Sequence, residues 1–217
     1  MPIQRLTRLS DIVFAVAMTI LALVFDPISA EQMSPDALTE LLLQQLPSIG
    51  VYAITFVTIG FYWFTHVHQF KYYQTTDAIH TFLSLFSLVF VVLLPYASEL
   101  SEFHDGVFAI QVFYSLVAAG VGIFSSAAWI YGTQNRRLVD NNLPDVTIRH
   151  IRRESFTEPL IALLAIAGAW LAPWGWSVTF LVGFPLAFFI QAQLSSKDSE
   201  VTEGAIANTE SVSPPSE

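Results

Sequence analysis

Asp11 is the first residue whose placement demands chemistry. Between it and Asp26 the chain has 14 uninterrupted apolar or weakly polar residues, about 21 Å of helix, short of the ~30 Å hydrocarbon thickness of a bilayer. A carboxylate at that depth needs a partner or a water-filled cavity. Arg8, three residues earlier, shares its helical face, with Arg5 one turn further back and Ser10 adjacent. A second apolar segment returns Trp63 and His66 to the same level, so a cluster of Arg5, Arg8, Ser10, Asp11 and His66 is expected, serving as glue between helix ends rather than as a catalytic or proton-relay site. His66, His68 and His80 gather near the same face with Asp77. His66 and His68 are two apart and point different ways on a helix. No His-Glu-x-x-His pattern and no serine nucleophile motif occurs. The absence of cysteine rules out disulfides, thiolate zinc sites, iron–sulfur clusters and a cysteine nucleophile. No enzyme, no metal site and no cofactor is expected, and with Lys71 and Lys197 outside every apolar run, no retinal either.

The elements that must position these residues are membrane helices. Of 217 residues, 53% are hydrophobic and 12% charged, and mean hydropathy is +0.55; a soluble domain carries about twice that charged fraction. Six apolar runs recur: Leu9 to Phe25, Ile49 to Gln69, Ile79 to Ala97, Val107 to Tyr131, Phe156 to Ala172 and Trp174 to Gln191, the last two a hairpin joined by Pro173. The first stops at Asp26-Pro27, since a residue before proline resists helical dihedrals. Gly183-Phe184-Pro185 interrupts the sixth. Residues 1–194 thus form a six-helix transmembrane domain, and 195–217, rich in Ser, Glu, Asp, Thr and Pro, a disordered acidic tail. The opening run reads as a retained helix rather than a cleavable signal, because Ser10 and Asp11 break its basic-to-apolar junction. With a cytoplasmic N-terminus, the inner segments hold all nine basic residues, from Arg5 and Arg8 through Lys71, Arg136, Arg137, Arg149, Arg152 and Arg153 to Lys197, so both termini are cytoplasmic. The outer loops carry Asp26, Glu31, Asp36 and Glu40, then Glu99, Glu102 and Asp105, which fit a cation vestibule and solvated loop charges equally well. Ser34-Pro35-Asp36 predicts a capped outer helix with Leu38, Leu41 and Leu42 on its apolar face.

Arg5, three intervening residues and Leu9-Ser10-Asp11 resemble the Arg-x-x-x-Phe-Ser-Asp signature of the endosomal/lysosomal potassium channel family, transmembrane protein 175, and its prokaryotic six-helix branch. Trp63-Phe64-Thr65-His66 is similar to that family's Trp-x-x-His, and Leu93-Leu94-Pro95-Tyr96 to its Leu-Leu-Pro-Phe helix ending. Leu9 stands where phenylalanine is usual, and Ser84 where asparagine is often found. The likeness covers the first half of the chain. It implies a homotetramer whose first helix lines a central cation pore, with the signature residues Arg5, Leu9, Ser10, Asp11, Trp63 and His66 anchoring that helix. Carried over by spacing from Asp11, the implied constriction is Val16, Ile20 and Leu23, with Thr19 offering the one hydroxyl there. These positions share a helical face.

No Thr-Val-Gly-Tyr-Gly loop is present, so selection would rest on dehydration at a narrow apolar ring, which potassium tolerates better than sodium. The expectation is an all-α polytopic protein of a prokaryotic plasma membrane, without a re-entrant selectivity loop, acting as a potassium-preferring leak channel; its partners are copies of itself, the lipid bilayer and permeant potassium, not nucleic acid. A secondary cation transporter is the rival, and it would want an ionisable group within a span; the sequence reading finds none in the middle of any run.

Overall fold

A computed structural model describes residues 2–24, 34–103, 106–172, 174–187 and 189–190. The predicted tail, residues 195–217, lies outside the described residues, as do Phe25, Asp26, Glu31, Asp105 and Gln191. Contacts divide the chain into a body, residues 1–184, and a second unit, residues 185–217.

The described residues are helical throughout apart from the connections. Helix α1 (Ile3–Ile20) ends in a tighter 3-10 turn, Leu21–Val24. Its sequence places Leu6, Ser10, Phe14, Ala17 and Leu21 on one face at steps of three and four, and that face is the one buried. The outer helix α2 (Pro35–Gln44) starts as predicted: Ser34 Oγ accepts from the Ala37 amide at 3.3 Å, proline occupies the first turn and Asp36 faces the positive end of the helix dipole. Leu38 and Leu41 are half-buried, while Leu42 is exposed.

Helix α3 (Leu46–Phe70) carries a polar stripe, Thr55, Thr58, Tyr62, Thr65 and Gln69, again at steps of three and four and entirely buried. Apolar side chains gain nothing by leaving lipid for protein, so hydroxyls and amides that bond across helices supply the cohesion here. Thr55 bonds Ser98 at 2.9 Å and accepts from Tyr114 at 3.0 Å; the Tyr62 hydroxyl donates to the Ala118 carbonyl at 2.7 Å. Helix α4 (Ala78–Phe103) runs on through Pro95, where the apolar reading ended the span at Ala97. A proline inside a membrane helix is tolerated when neighbours take up the backbone group it frees. Helix α5 (Phe108–Thr133) is the most enclosed of the spans, packed on α4 and α6.

Helix α6 (Asp145–Leu171) begins eleven residues before the predicted Phe156, because Pro144 and Asp145 make a sound start and the basic segment continues the helix beyond the apolar run. Helix α7 (Gly175–Ala187) is assigned continuously through Gly183, Phe184 and Pro185, so the predicted interruption is not seen. Among the described residues five helices are long and apolar enough to cross a membrane, and α7 is shorter; at 1.5 Å per residue its described length is about 20 Å. Six spans are therefore not established by length alone. At the base of α1 a small cluster unites Leu6, Phe70, Tyr73, Trp129, Val139 and Ile151. The connections beneath it are stitched by a Tyr73–Val139 bridge and a Gln74 amide bonded to the Leu138 carbonyl at 2.8 Å.

Candidate functional site

Two faces of α1 have opposite fates. The buried face turns into the body against α3 and α4. The other presents Leu9, Ile12, Val16, Thr19, Ile20 and Leu23, all exposed, with Leu23 at 80%. Val16, Thr19 and Leu23 follow one another at steps of three and four, and Ile20 adjoins Thr19, so the four share a single stripe. The Thr19 hydroxyl donates to the Val16 carbonyl at 2.8 Å. Its hydrogen is thereby occupied within the helix, and its oxygen keeps lone pairs that face away from the body.

Of the signature residues, Ser10, Asp11, Trp63 and His66 make bonds or ring contacts, whereas Arg5 and Leu9 are exposed. Asp11 Oδ1 accepts from the Trp63 indole at 3.2 Å, and Ser10, fully buried, donates back to the Leu6 carbonyl at 2.9 Å. Phe14 packs on the His66 ring with centroids 5.5 Å apart, and His66 stacks on Phe70 at 4.0 Å. Among the described residues no bond or ring contact joins two members of the expected cluster: Asp11, Ser10 and His66 each pair with a residue outside it. Arg5 and Arg8 are exposed, and among the described residues no ion pair links either to Asp11; the indole takes the role expected of Arg8. Leu9 is exposed beside the stripe, not packed in the anchor.

The histidines divide as their spacing predicts. His66 and His80 lie on the α1–α4 side around Phe70 and Tyr73, with His66 Nε2, His80 Nε2 and the Tyr73 hydroxyl buried and without a hydrogen-bond partner among the described residues. Burial pushes the Tyr73 phenol well above its ordinary range. His68 points the other way, to Glu154 of α6 at 2.8 Å. Asp77, between α3 and α4, is partly buried, which opposes ionisation. The His80 amide at 2.9 Å, the Tyr131 hydroxyl at 2.7 Å and the Arg137 guanidinium outweigh that, holding its carboxyl below the usual range.

A carboxylate within a span was missed from sequence. Glu158 sits near the midpoint of α6, 6% exposed, bonded by the Thr65 hydroxyl at 2.5 Å. The apolar run that seemed to begin at Phe156 put it at a helix end, whereas α6 starts at Asp145. The signal was present: His150, Glu154 and Glu158 recur at steps of four and so share a face. Beside them Gln69 bonds Ser155 at 2.7 Å and accepts from Ser125 at 3.2 Å. No group among the described residues has the ligand set to hold a metal ion.

The sequence model of the family described as "Endosomal/lysosomal potassium channel TMEM175" matches residues 5–95, the part of the chain that carries the signature. Two curated relatives are described as "Endosomal/lysosomal proton channel TMEM175": one from Gallus gallus, 27% identical over 170 residues, covers 75% of this chain and 33% of its own; one from Danio rerio, 23% identical over 143 residues, covers 64% and 27%. The chain thus spans a third of the length of the first of those relatives and about a quarter of the second. The crystal structure of a lysosomal potassium-selective channel TMEM175 homolog from Chamaesiphon minutus superimposes with a TM-score of 0.71 at 22% identity, covering 88% of this chain and 97% of the other. A variant of the potassium channel MtTMEM175, solved with a nanobody fusion, gives 0.54 at 19% identity, covering 92% and 93%. The all-helical fold is that of these structures, the resemblance read from Arg5 onward is matched by the family model, and the matched proteins are described as channels.

Proposed function

We propose, from the premise that residues 5–95 match the TMEM175 channel family, that this chain is one subunit of a homotetrameric, potassium-preferring cation channel. It spans the membrane six times, α7 completing the count, with both termini in the cytoplasm of a prokaryotic cell. Copies of α1 surround the axis. Val16, Ile20 and Leu23 form stacked apolar rings at which an entering ion sheds part of its water, a step that costs potassium less than sodium. Thr19 offers its oxygen to the partly stripped ion, its own hydrogen being occupied by Val16. Trp63, Asp11, Ser10 and His66 fix the cytoplasmic half of α1 so that the stripe keeps its direction.

The observation that carries this reading is the unpartnered stripe on the first helix, opposite a face that is packed and bonded. Reconstitution into a planar bilayer, with reversal potentials measured in potassium against sodium, tests it. Ile20→Asn replaces a greasy ring by amides that rehydrate the ion; conductance should rise and potassium preference fall. Currents and selectivity identical to the parent would remove Ile20 from the pore. A secondary cation carrier is the second reading, favoured by the carboxyl of Glu158 inside α6. Flux that saturates with a turnover ceiling would select it over the channel.

A further inference from the structure

A cavity of about 370 Å³ opens where the end of α5 meets the first turns of α6, and its lining includes Gln134, Asn135, Arg136, Asp145, Arg149 and Arg152. That volume lies within the range of small-molecule sites, about 300–1,000 Å³. Arg136 is held in place: its guanidinium donates to the Leu143 carbonyl and, at 2.6 Å, to the Asp145 carboxylate. The pair cancels in charge and leaves three of the five guanidinium N–H donors unused. Arg149 and Arg152 are exposed, and among the described residues neither side chain has a hydrogen-bond or ion-pair partner. The cavity therefore carries two uncompensated positive charges.

A charge bias between the two sides of a membrane requires only a count of basic residues, and it is met with every side chain spread into water. Here the arginines converge instead. Arg149 and Arg152 are three apart and share a helical face, where like charges repel. Arg136 faces the same cavity from a backbone in the left-handed region, φ 54° at Asn135 and 53° at Arg136, a conformation that residues other than glycine resist. An anion between the guanidiniums relieves their repulsion, and their planar forks suit the oxygens of a phosphate.

The same face of α6 continues into the apolar run: Phe156, Leu160 and Leu163 follow Arg152 at steps of four, four and three, and all three are exposed. At 1.5 Å per residue Arg152 stands about 6 Å and Arg149 about 10 Å outside the start of that run at Phe156. The headgroup layer of a bilayer is about 5–8 Å deep on each side, so both side chains reach it. A cationic recess at headgroup depth, in line with an apolar track, matches one class of ligand at both its ends. We propose that this cavity binds the phosphate headgroup of an anionic phospholipid, gripped by Arg149 and Arg152, with an acyl chain lying along Phe156, Leu160 and Leu163. The Gln134 and Asn135 amides and the remaining donors of Arg136 serve the other headgroup oxygens. The site uses no residue of α1 and stands whether or not that helix lines a pore.

Native mass spectrometry of the full chain released from detergent micelles tests the site without reading a current. Phosphatidylglycerol and phosphatidylcholine are supplied at equal concentrations, and the parent should retain phosphatidylglycerol in preference. An arginine near a membrane surface strengthens the hold on anionic lipid about fivefold, so the Arg149→Gln, Arg152→Gln double variant should lose roughly 25-fold of the preference. Arg153→Gln, next along the helix but outside the cavity lining, should stay near the parent. Asp145→Asn removes the one negative charge in the lining and should strengthen the preference, a result that stands even if the double variant fails to fold. Glycerol phosphate, the same chemistry without chains, should not displace the lipid. Equal retention of the two lipids, a preference that survives in the double variant, an equal loss in Arg153→Gln or a weakened preference in Asp145→Asn would each overturn the proposal. Displacement by glycerol phosphate would overturn it too, by assigning the cavity to a soluble phosphate compound.

Discussion

Gly122 tests how tightly α5 must approach α6. A Cβ on Gly122 would stand 2.5 Å from Pro159 Cδ, 3.0 Å from its nitrogen and 3.2 Å from its Cβ, where ordinary contact begins at 3.4 Å. The obstructing atoms belong to a ring and a backbone and cannot rotate away, so in Gly122→Ala the helices must part by nearly an ångström. Overfilling a packed interior costs about 1–3 kcal/mol, and the rigidity of the obstacle puts this case in the upper half. For a chain of this size that is a fall in Tm of roughly 4–12 °C. Hydrophobic transfer contributes little to the figure, because the separated surfaces meet lipid rather than water; the loss is of close packing. The assay is thermal unfolding of detergent-purified protein followed by tryptophan fluorescence at a fixed scan rate. Pro159→Ala removes the obstructing Cδ, so the double variant should recover most of the loss relative to Pro159→Ala alone, a coupling that a cycle of the four proteins measures directly. Gly122→Ala melting with the parent, or a loss that Pro159→Ala leaves untouched, would refute the claim that this contact sets the α5–α6 distance.

Trp63→Phe keeps the ring and deletes the donor to Asp11; the pair is half-exposed, so the cost should be about 1 kcal/mol, seen as a Tm lowered by a few degrees with the potassium-to-sodium reversal potential unchanged. A shift in selectivity at unaltered stability would move Asp11 from anchor to pathway. Tyr131→Phe removes one of the donors that hold the Asp77 carboxyl below its ordinary range. A depressed carboxyl stabilises the fold above its unfolded value and loses that contribution as pH falls through its folded value. The Tm gap between parent and Tyr131→Phe should thus be full at neutral pH and close as the solution is acidified below the carboxylate range, about pH 4; a gap that persists in acid would mean Tyr131 acts by packing alone.

Legibility differed from element to element. Ser34, Pro35 and Asp36 specify the start of α2 by chemistry confined to one turn, and the structure places it there. The opposed directions of His66 and His68 follow from helical geometry alone. The ends of spans were harder, since hydropathy reports where a helix leaves the apolar layer, not where its hydrogen bonds stop. That is why α4 continues past Ala97 to Phe103 and why α6 begins at Asp145, carrying Glu158 from an apparent terminus to a midpoint. The donor to Asp11 was misassigned for a related reason: Arg8 is near in sequence, but its long side chain loses less by staying in solvent, while the indole of Trp63 is already at membrane depth.

Composition and periodicity by themselves determined that this is a helical membrane protein, which residues of α1 share a stripe, and which chemistries the lack of cysteine forbids. These are local or summed properties, written in the type and spacing of neighbours along the chain. Only the tertiary structure decided which face of α1 is packed, which side chain satisfies Asp11, and that Thr65, distant in sequence, meets Glu158 across the α3–α6 seam. Pairings of that kind depend on how helices rotate and slide until buried polar groups find partners. In a bilayer, where apolar surface is indifferent to its neighbour, those polar pairings and close backbone approaches select among arrangements that the apolar pattern leaves equivalent.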